Sequence, residues 1–343
     1  MSQVVRTALA RVLAGATLSR EEARTAMADV MDGQATPAQL AGLLVALRSR
    51  GETVEELAGF ALAMRERVVR VQAPQGAVDT CGTGGDGSAT FNISTAAAVV
   101  VAGAGVAVAK HGNRAVTSQA GSADVLEALG VPIDHDPEQA AEDLRLHRFA
   151  FLFAPAYHPA MRHAGPVRRE LGVATCFNLL GPLTNPAGVR RQVVGVADPR
   201  AALRVARVLH ALGAERAFVV HGDGVDELPL DGSGVLYDVS PAGVRRRRVD
   251  SASLGLRHAP HSALRGGTAA ENAAHIEAVL SRRDRGPRRD VVLLNAGAAL
   301  LAAGHAKSLA HGVARAGRAI DDGDALRLLD SLRGSRSATR SVA

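Results

Sequence analysis

The chain has 343 residues, 47% hydrophobic but only 3% aromatic, which implies about two domains packed on aliphatic side chains. No run of about 18 uncharged apolar residues occurs, which argues against a membrane span, and two cysteines, Cys81 and Cys176, are too few for a disulfide scaffold and fit a reducing cytoplasm. Forty basic against 34 acidic residues leave +6, a modest field that draws a polyanionic small molecule or a nucleic acid without choosing between them.

The opening Met-Ser-Gln-Val-Val-Arg does not follow the pattern of a secretory signal. Residues 1–71 predict a small helical bundle. Ser19 with Glu22, Thr36 with Gln39 and Thr53 with Glu56 have the spacing at which a hydroxyl and a carboxyl or amide cap a helix start reciprocally. Pro37 suits the first helical position, and Gly33 and Gly51 end the helices between these starts. Leu40, Leu43, Leu44 and Leu47 fall on one helical face. The bundle holds no catalytic cluster, so its helices are expected to pack on the main domain or on a second subunit.

From residue 77 the pattern changes to short β-prone runs at 77–80, 106–110, 149–153, 192–196, 216–221 and 235–239. Helices separate them, two opened by Asp136-Pro137 and Asp198-Pro199. This alternation predicts a mostly parallel sheet covered on both faces. Arg245 to Arg248 form a charge run suited to an edge strand. Thr268 and Glu271 open a helix to Leu280; residues 290–303 predict a buried helix, 321–332 a closing one, and 333–343 a frayed end.

Three stretches carry chemistry. The first leaves the 77–80 strand through Gly82, Gly84, Gly85 and Gly87 and enters the apolar run 96–101 by way of Thr90, Phe91, Asn92, Ile93, Ser94 and Thr95. Glycines between a strand and a helix start let backbone amides approach a phosphate, which the helix dipole also favours; the competing explanation is an ordinary glycine-rich turn. The second is Lys110, His111, Gly112, Asn113, Arg114, Ala115, Val116, Thr117 and Ser118, followed by a helix start near Ser122. Its two cations, amide and hydroxyls suit a multiply charged anion, against the alternative of a solvated turn. His111 is a candidate base, but a lone histidine beside glycine is more often structural. The third places Asp223, Asp226 and Glu227 in a loop after a strand, hard oxygen ligands of the kind Mg²⁺ takes, or a plain acidic turn. Residues 157–172 predict a helix interrupted at Gly165-Pro166, with Arg168 and Arg169 beyond; one of them could clamp a carboxylate, or both could face solvent. Residues 178–187 predict a rigid Pro/Asn turn. Cys81 has no histidine in a defined relation to it and is a weak nucleophile candidate.

Taken together, Gly82-Thr-Gly-Gly-Asp-Gly87, Phe91-Asn-Ile-Ser-Thr95, Lys110-His-Gly-Asn-Arg114, Gly121-Ser-Ala-Asp-Val-Leu-Glu127, Asn178-Leu-Leu-Gly-Pro-Leu-Thr-Asn-Pro186 and Asp226-Glu227 resemble the motifs of the anthranilate phosphoribosyltransferase family, in the family's order and over nearly the whole chain. The resemblance implies transfer of phosphoribose from phosphoribosyl pyrophosphate to the amine of anthranilate in tryptophan biosynthesis. It places Gly82, Gly85, Asp86, Thr90, Asn92, Ile93, Ser94 and Thr95, with Lys110 through Ser118 and Ser122, around the phosphoribosyl donor. It puts Gly82, Asn113 and Arg168 at anthranilate and Ser94, Asp226 and Glu227 at Mg²⁺, two ions per subunit. No residue is assigned as nucleophile or base. The implied fold is a small helical domain, residues 1–71 with about 156–186 packed on it, plus a large α/β domain over 72–343. A cytoplasmic homodimer is expected, with neither a nucleic acid nor a membrane as partner.

Two departures stand beside these motifs. Ala174 occupies a position where many relatives carry a basic residue, and Gln119-Ala120 replaces an expected Lys-Ser. Both bear on affinity more than on reaction type. The competing functions are a pyrimidine nucleoside phosphorylase, which needs no acidic metal pair, and a non-catalytic paralogue that binds nucleic acid through a basic face. With no Trp and two Tyr, the second lacks the stacking residues such a face uses.

Overall fold

The computed structural model describes residues 1–84, 87–115 and 119–339. Its N-terminal bundle consists of α1 (Gln3–Leu13), α2 (Arg20–Met31), α3 (Pro37–Arg50) and α4 (Val54–Glu66). Ser19, Thr36 and Thr53 cap α2, α3 and α4, and Glu22, Gln39 and Glu56 return the bond, as their spacing predicts. Each box satisfies two amides that a helix start otherwise leaves unpaired. Ser2 caps α1 and donates to Asp29 at 2.6 Å, tying α1 to α2.

The chain continues through β1 (Val78–Gly82), α5 (Ile93–Gly103), β2 (Val108–Gly112), α6 (Ser122–Ala128), α7 (Pro137–Leu146) and β3 (Phe149–Phe153). Three short helices follow, α8 (Ala154–Tyr157), α9 (Gly165–Leu171) and α10 (Phe177–Leu180). Then come β4 (Arg191–Gly195), α11 (Pro199–Ala211), β5 (Arg216–His221), β6 (Val235–Ser240) and β7 (Gly243–Arg248). Four helices close the fold: α12 (Ala269–Leu280), α13 (Pro287–Ala302), α14 (Leu309–Asp321) and α15 (Asp324–Thr339).

The seven strands lie in the order β3-β2-β1-β4-β5-β6-β7, the first five parallel and the last two added antiparallel. The chain winds outward from β1 to β3 and then returns to the other side of β1 with β4. Winding therefore reverses between β1 and β4, where open α/β sheets leave a crevice beyond the carboxyl ends of their strands.

Alternating side chains feed two large cores and, from Ala109, Ala150 and Leu152, a smaller third one. Phe151, Val193, Phe218, Val220 and Leu236 are buried on one face, beneath a layer in which α5 and α13 contact the strands and α14 and α15 pack on α5. Val194, Ala217, Val219, Tyr237 and Val239 face the other way, into a core shared with α11 and the N-terminal bundle. Ala164, Val167, Phe177, Leu180 and Leu183 join that second core, so the middle helical segment packs with the bundle.

Several expectations shift. β1 and β2 begin one and two residues later than predicted and end two residues later, because ladder hydrogen bonds carry on through Cys81-Gly82 and His111-Gly112. Gly165-Pro166 opens α9 instead of interrupting a helix, since proline at the first turn lacks only an amide that would be unpaired there. α14 falls in a stretch where no element is predicted. Gly312 is a point of contact, where a Cβ would stand 2.3 Å from the Gly297 carbonyl of α13. α15 continues through Thr339, past the expected fray at Arg333, whose side chain bonds the Leu129 carbonyl at 2.6 Å and Glu277.

Glu56 is fully buried, where it accepts bonds from the amides of Leu18 and Thr53, each at 2.8 Å, and from Arg50. Burial opposes its charge, but Arg50 and the two amides outweigh it and hold the carboxyl below the usual range. A carboxylate depressed in the folded state contributes stability that is fully present above its unfolded pKa of about 4.3 and lost as pH falls through the folded value. Glu56→Ala is expected to cost about 3 kcal/mol in urea unfolding at neutral pH, because it strands Arg50 and two amides. Glu56→Gln should flatten part of the acid loss of stability. An acid limb identical to that of the unsubstituted protein would remove Glu56 as its source.

Candidate active site

Gly82 of β1 is in register with Gly195 of β4, which pairs with Val220 of β5. β2 ends alongside at Gly112. The glycine loop, the 113–121 loop and the loop after His221 therefore all leave from the carboxyl edge of the sheet, at the reversal point. Two missing side chains let them meet. A Cβ on Gly195 would lie 1.7 Å from the Asp226 carbonyl oxygen, and one on Gly82 would lie 2.3 Å from its Oδ2. Asp226 thus sits directly on bare backbone, where the Gly84 amide donates to Oδ2 at 3.0 Å and the Thr83 amide donates to the Gly195 carbonyl at 2.9 Å. Its neighbour Glu227 accepts the Ser94 amide at 3.0 Å, at the N-terminus of α5, where the helix dipole favours a negative charge.

Beneath this lies a buried polar group of residues. Lys110 is 2% exposed; its Nζ donates to the Thr80 carbonyl and, at 3.4 Å, to the Ser94 hydroxyl. Asp79, fully buried, accepts from the His111 amide at 3.2 Å and from Asn185 Nδ2 at 2.7 Å. Burial pushes Lys110 down and Asp79 up, and each one's opposite charge pulls the other back. Burial, then Asp79, raise the Cys81 thiol well above its ordinary value, so it is not a thiolate nucleophile. Burial and the neighbouring His158 ring, 5.1 Å away, lower His111 to about 3, leaving it neutral at physiological pH. Its Nδ1 meets the Gly181 carbonyl at 3.1 Å. The Pro/Asn turn is architectural as expected: Asn185 also donates to the Ala109 carbonyl at 2.8 Å.

Ala115 and Gly121 are held by one carboxylate. Asp124 accepts from the amides of Ala115 and Gly121 at 3.0 and 2.8 Å, and Ser122 donates its hydroxyl to the Asn113 carbonyl at 3.3 Å. The Arg114 guanidinium is held by Glu127 and Asp124, which raise its pKa further, and stacks over Phe153. Asn92 is likewise engaged, donating to the Ala120 carbonyl at 3.2 Å and accepting from Asn272 at 2.9 Å. Thr90 bridges to Arg265, fastening the glycine loop's far arm, while Ile93 and Thr95 are buried in the first turn of α5. Arg168 lies on α9, half-buried, its guanidinium 5.1 Å from the Phe177 ring centre; burial lowers its pKa, and among the described residues no carboxylate pairs with it. Gln119 and Ala174 are exposed. Gly85, Asp86, Val116, Thr117 and Ser118 lie outside the described residues.

Asn272 and Asn295 carry no local signal of a site role. Asn272 follows the Thr268/Glu271 cap and Asn295 is an isolated amide in an apolar helix, yet each is buried and bonded to a site loop: Asn272 to Asn92, and Asn295 to Leu228 beside Glu227. The donor set of Asp226, Glu227 and Ser94 is all oxygen and fits Mg²⁺, which takes one or two carboxylates and leaves its other positions to water and phosphate.

Residues 74–326 match the model of the glycosyl transferase family a/b domain, and residues 6–68 that of the same family's helical bundle domain. An anthranilate phosphoribosyltransferase of Chloroflexus aggregans is 54% identical, covering 95% of this chain and 96% of its own; that of Thermomicrobium roseum is 55% identical, covering 95% of each. The chain belongs to the anthranilate phosphoribosyltransferase family. The crystal structure of the family's enzyme from Thermus thermophilus superposes with a TM-score of 0.90 at 47% identity, over 95% of this chain and 98% of that one. The enzyme from Saccharomyces cerevisiae, solved with phosphoribosyl pyrophosphate and Mg, gives 0.89 at 27% identity, over 98% and 99%. Neither a phosphorylase nor a nucleic-acid-binding paralogue finds support in these matches.

Gly195→Ala would drive a methyl group into the Asp226 backbone. The acidic loop must lift, at a cost of about 1–3 kcal/mol in urea unfolding. Native stability with an unmoved loop in a crystal structure would refute this account of how the acidic pair is seated.

Proposed function

We propose that this protein transfers the phosphoribosyl group of phosphoribosyl pyrophosphate to the amine of anthranilate, releasing pyrophosphate, as a cytoplasmic step of tryptophan biosynthesis. The observation that carries this is the joining of glycine loop and acidic pair at the sheet's reversal point, with Asp226 on Gly82 and Gly195 and Glu227 on the Ser94 amide. The nitrogen–C1 bond forms on ribose as the C1–oxygen bond to pyrophosphate breaks, and the amine's proton leaves to solvent. Ser94, Asp226 and Glu227 hold Mg²⁺, two ions per subunit. Bound Mg²⁺ offsets charge on the departing pyrophosphate.

The chain's own groups do the rest by placement. Gly82, Gly85, Asp86, Thr90, Asn92, Ile93, Ser94 and Thr95 hold the pyrophosphate and ribose. Residues 110–118 and Ser122 complete the donor site; using Arg114 there requires it to release Glu127. Preorganised donors of this type stabilise developing negative charge at little reorganisation cost. Gly82, Asn113 and Arg168 position anthranilate, with Arg168 toward its carboxylate. The amine needs only placement, which accords with neutral His111 and protonated Cys81. The helical unit of residues 1–71, with about 156–186 packed on it, closes against the large α/β unit to exclude water, and the protein works as a homodimer.

Purified protein is expected to consume anthranilate fluorescence when given phosphoribosyl pyrophosphate and Mg²⁺, and to stop on chelation. A folded sample without turnover sinks the proposal. Arg168→Ala is expected to raise the anthranilate KM by about 100-fold, the loss of one charge-assisted contact, and to leave that of the phosphoribosyl donor nearly unchanged. Equal effects on both would reassign Arg168.

A further inference from the structure

The geometry points to Asn295 as the residue that positions the acidic pair for Mg²⁺–pyrophosphate, an inference that rests on the proposed reaction. Asn295 lies near the middle of α13 between two fully buried neighbours, Leu294 and Ala296, and is itself 3% exposed. A buried amide is costly unless its polar atoms are bonded. Here they are. Oδ1 accepts from the Leu228 amide at 3.0 Å, and Nδ2 donates to the Leu228 carbonyl and to that of Val291, each at 3.0 Å.

Leu228 directly follows Glu227 and is fully buried. Asn295 therefore engages both backbone groups of one residue, as a neighbouring strand would. On the other side of the acidic pair, the Gly222 amide closes a turn on the Val225 carbonyl at 2.9 Å. Asp226 and Glu227 are thus bracketed in a stretch with no regular secondary structure. Asn295 also borders the small cleft lined by Thr80, Ser94 and Glu227. Leucine or alanine at 295 would suit the apolar helix, but it would leave the amide and carbonyl of Leu228 unpaired in the core. Aspartate would still accept from the amide and would fail at both carbonyls. The amide is needed by the loop, not by α13.

The test uses the full chain with Asn295→Ala, and with Leu300→Ala as a core change on the same helix away from the loop. Calorimetry follows Mg²⁺–pyrophosphate binding, and turnover gives the anthranilate KM. Asn295→Ala is expected to weaken Mg²⁺–pyrophosphate about 10-fold, the scale seen for residues that orient metal ligands, with the anthranilate KM within about twofold. Leu300→Ala should lower the unfolding temperature and retain that affinity. Unchanged affinity in Asn295→Ala, or equal weakening in Leu300→Ala, overturns the assignment. Where Asn295→Ala does not fold, Asn295→Asp takes its place. Deuterium exchange at the Leu228 amide needs no substrate and should quicken in Asn295→Ala but not in Leu300→Ala. If the unsubstituted protein neither turns over nor binds Mg²⁺–pyrophosphate, the proposed reaction fails, and exchange at Leu228 then decides whether Asn295 holds the loop.

Discussion

Asp226 rests on two glycines, and the rest of the site depends on that contact. Gly82 and Gly195 end the two strands between which the winding reverses, so their bare backbones floor the crevice that this topology opens. Any side chain at either position would hold the acidic loop off by the width of a methyl group. With the loop down, one carboxylate reaches the Gly84 amide and the next reaches the start of α5. The strand end that opens the glycine loop thus admits an acid from behind, and the Gly84 amide meets it.

The charge beneath that contact is arranged to be rigid. Lys110 is anchored to the Thr80 carbonyl and the Ser94 hydroxyl, and Asp79 to a backbone amide and Asn185. Buried ions are expensive, and removing one partner leaves the other uncompensated. The return for that expense is orientation, because the group spans β1, β2, the start of α5 and the Pro/Asn turn. The histidine and the thiol in the same layer are neutral, so the layer supplies position and field. That suits a reaction in which the leaving group is stabilised and the amine merely placed.

The second set of constraints comes from far along the chain. Asn272 and Asn295, on α12 and α13, each spend a buried amide on a loop that begins more than a hundred residues earlier or belongs to a different strand connection. Asp124 does the same locally for the 113–121 loop.

The helix caps at Ser19, Thr36, Thr53 and Thr268, the strand–helix alternation and the three loops with chemistry were legible in the residues themselves, because each depends on neighbours within a few positions. The glycines from Gly82 to Gly87 were legible as a point of close approach, but not what would approach: that Gly82 and Gly195 receive Asp226, and that Gly297 meets Gly312, follows from strand order and helix crossing. Arg114 reads as an anion ligand in its motif, while the fold sets Glu127 within its reach. Asn295 reads as a blemish in an apolar helix until the loop at Leu228 lies beside it. Local bonding and periodicity determined the elements and the kind of site. Only the tertiary structure decided which backbone groups would be buried together, and hence which side chains had to satisfy them.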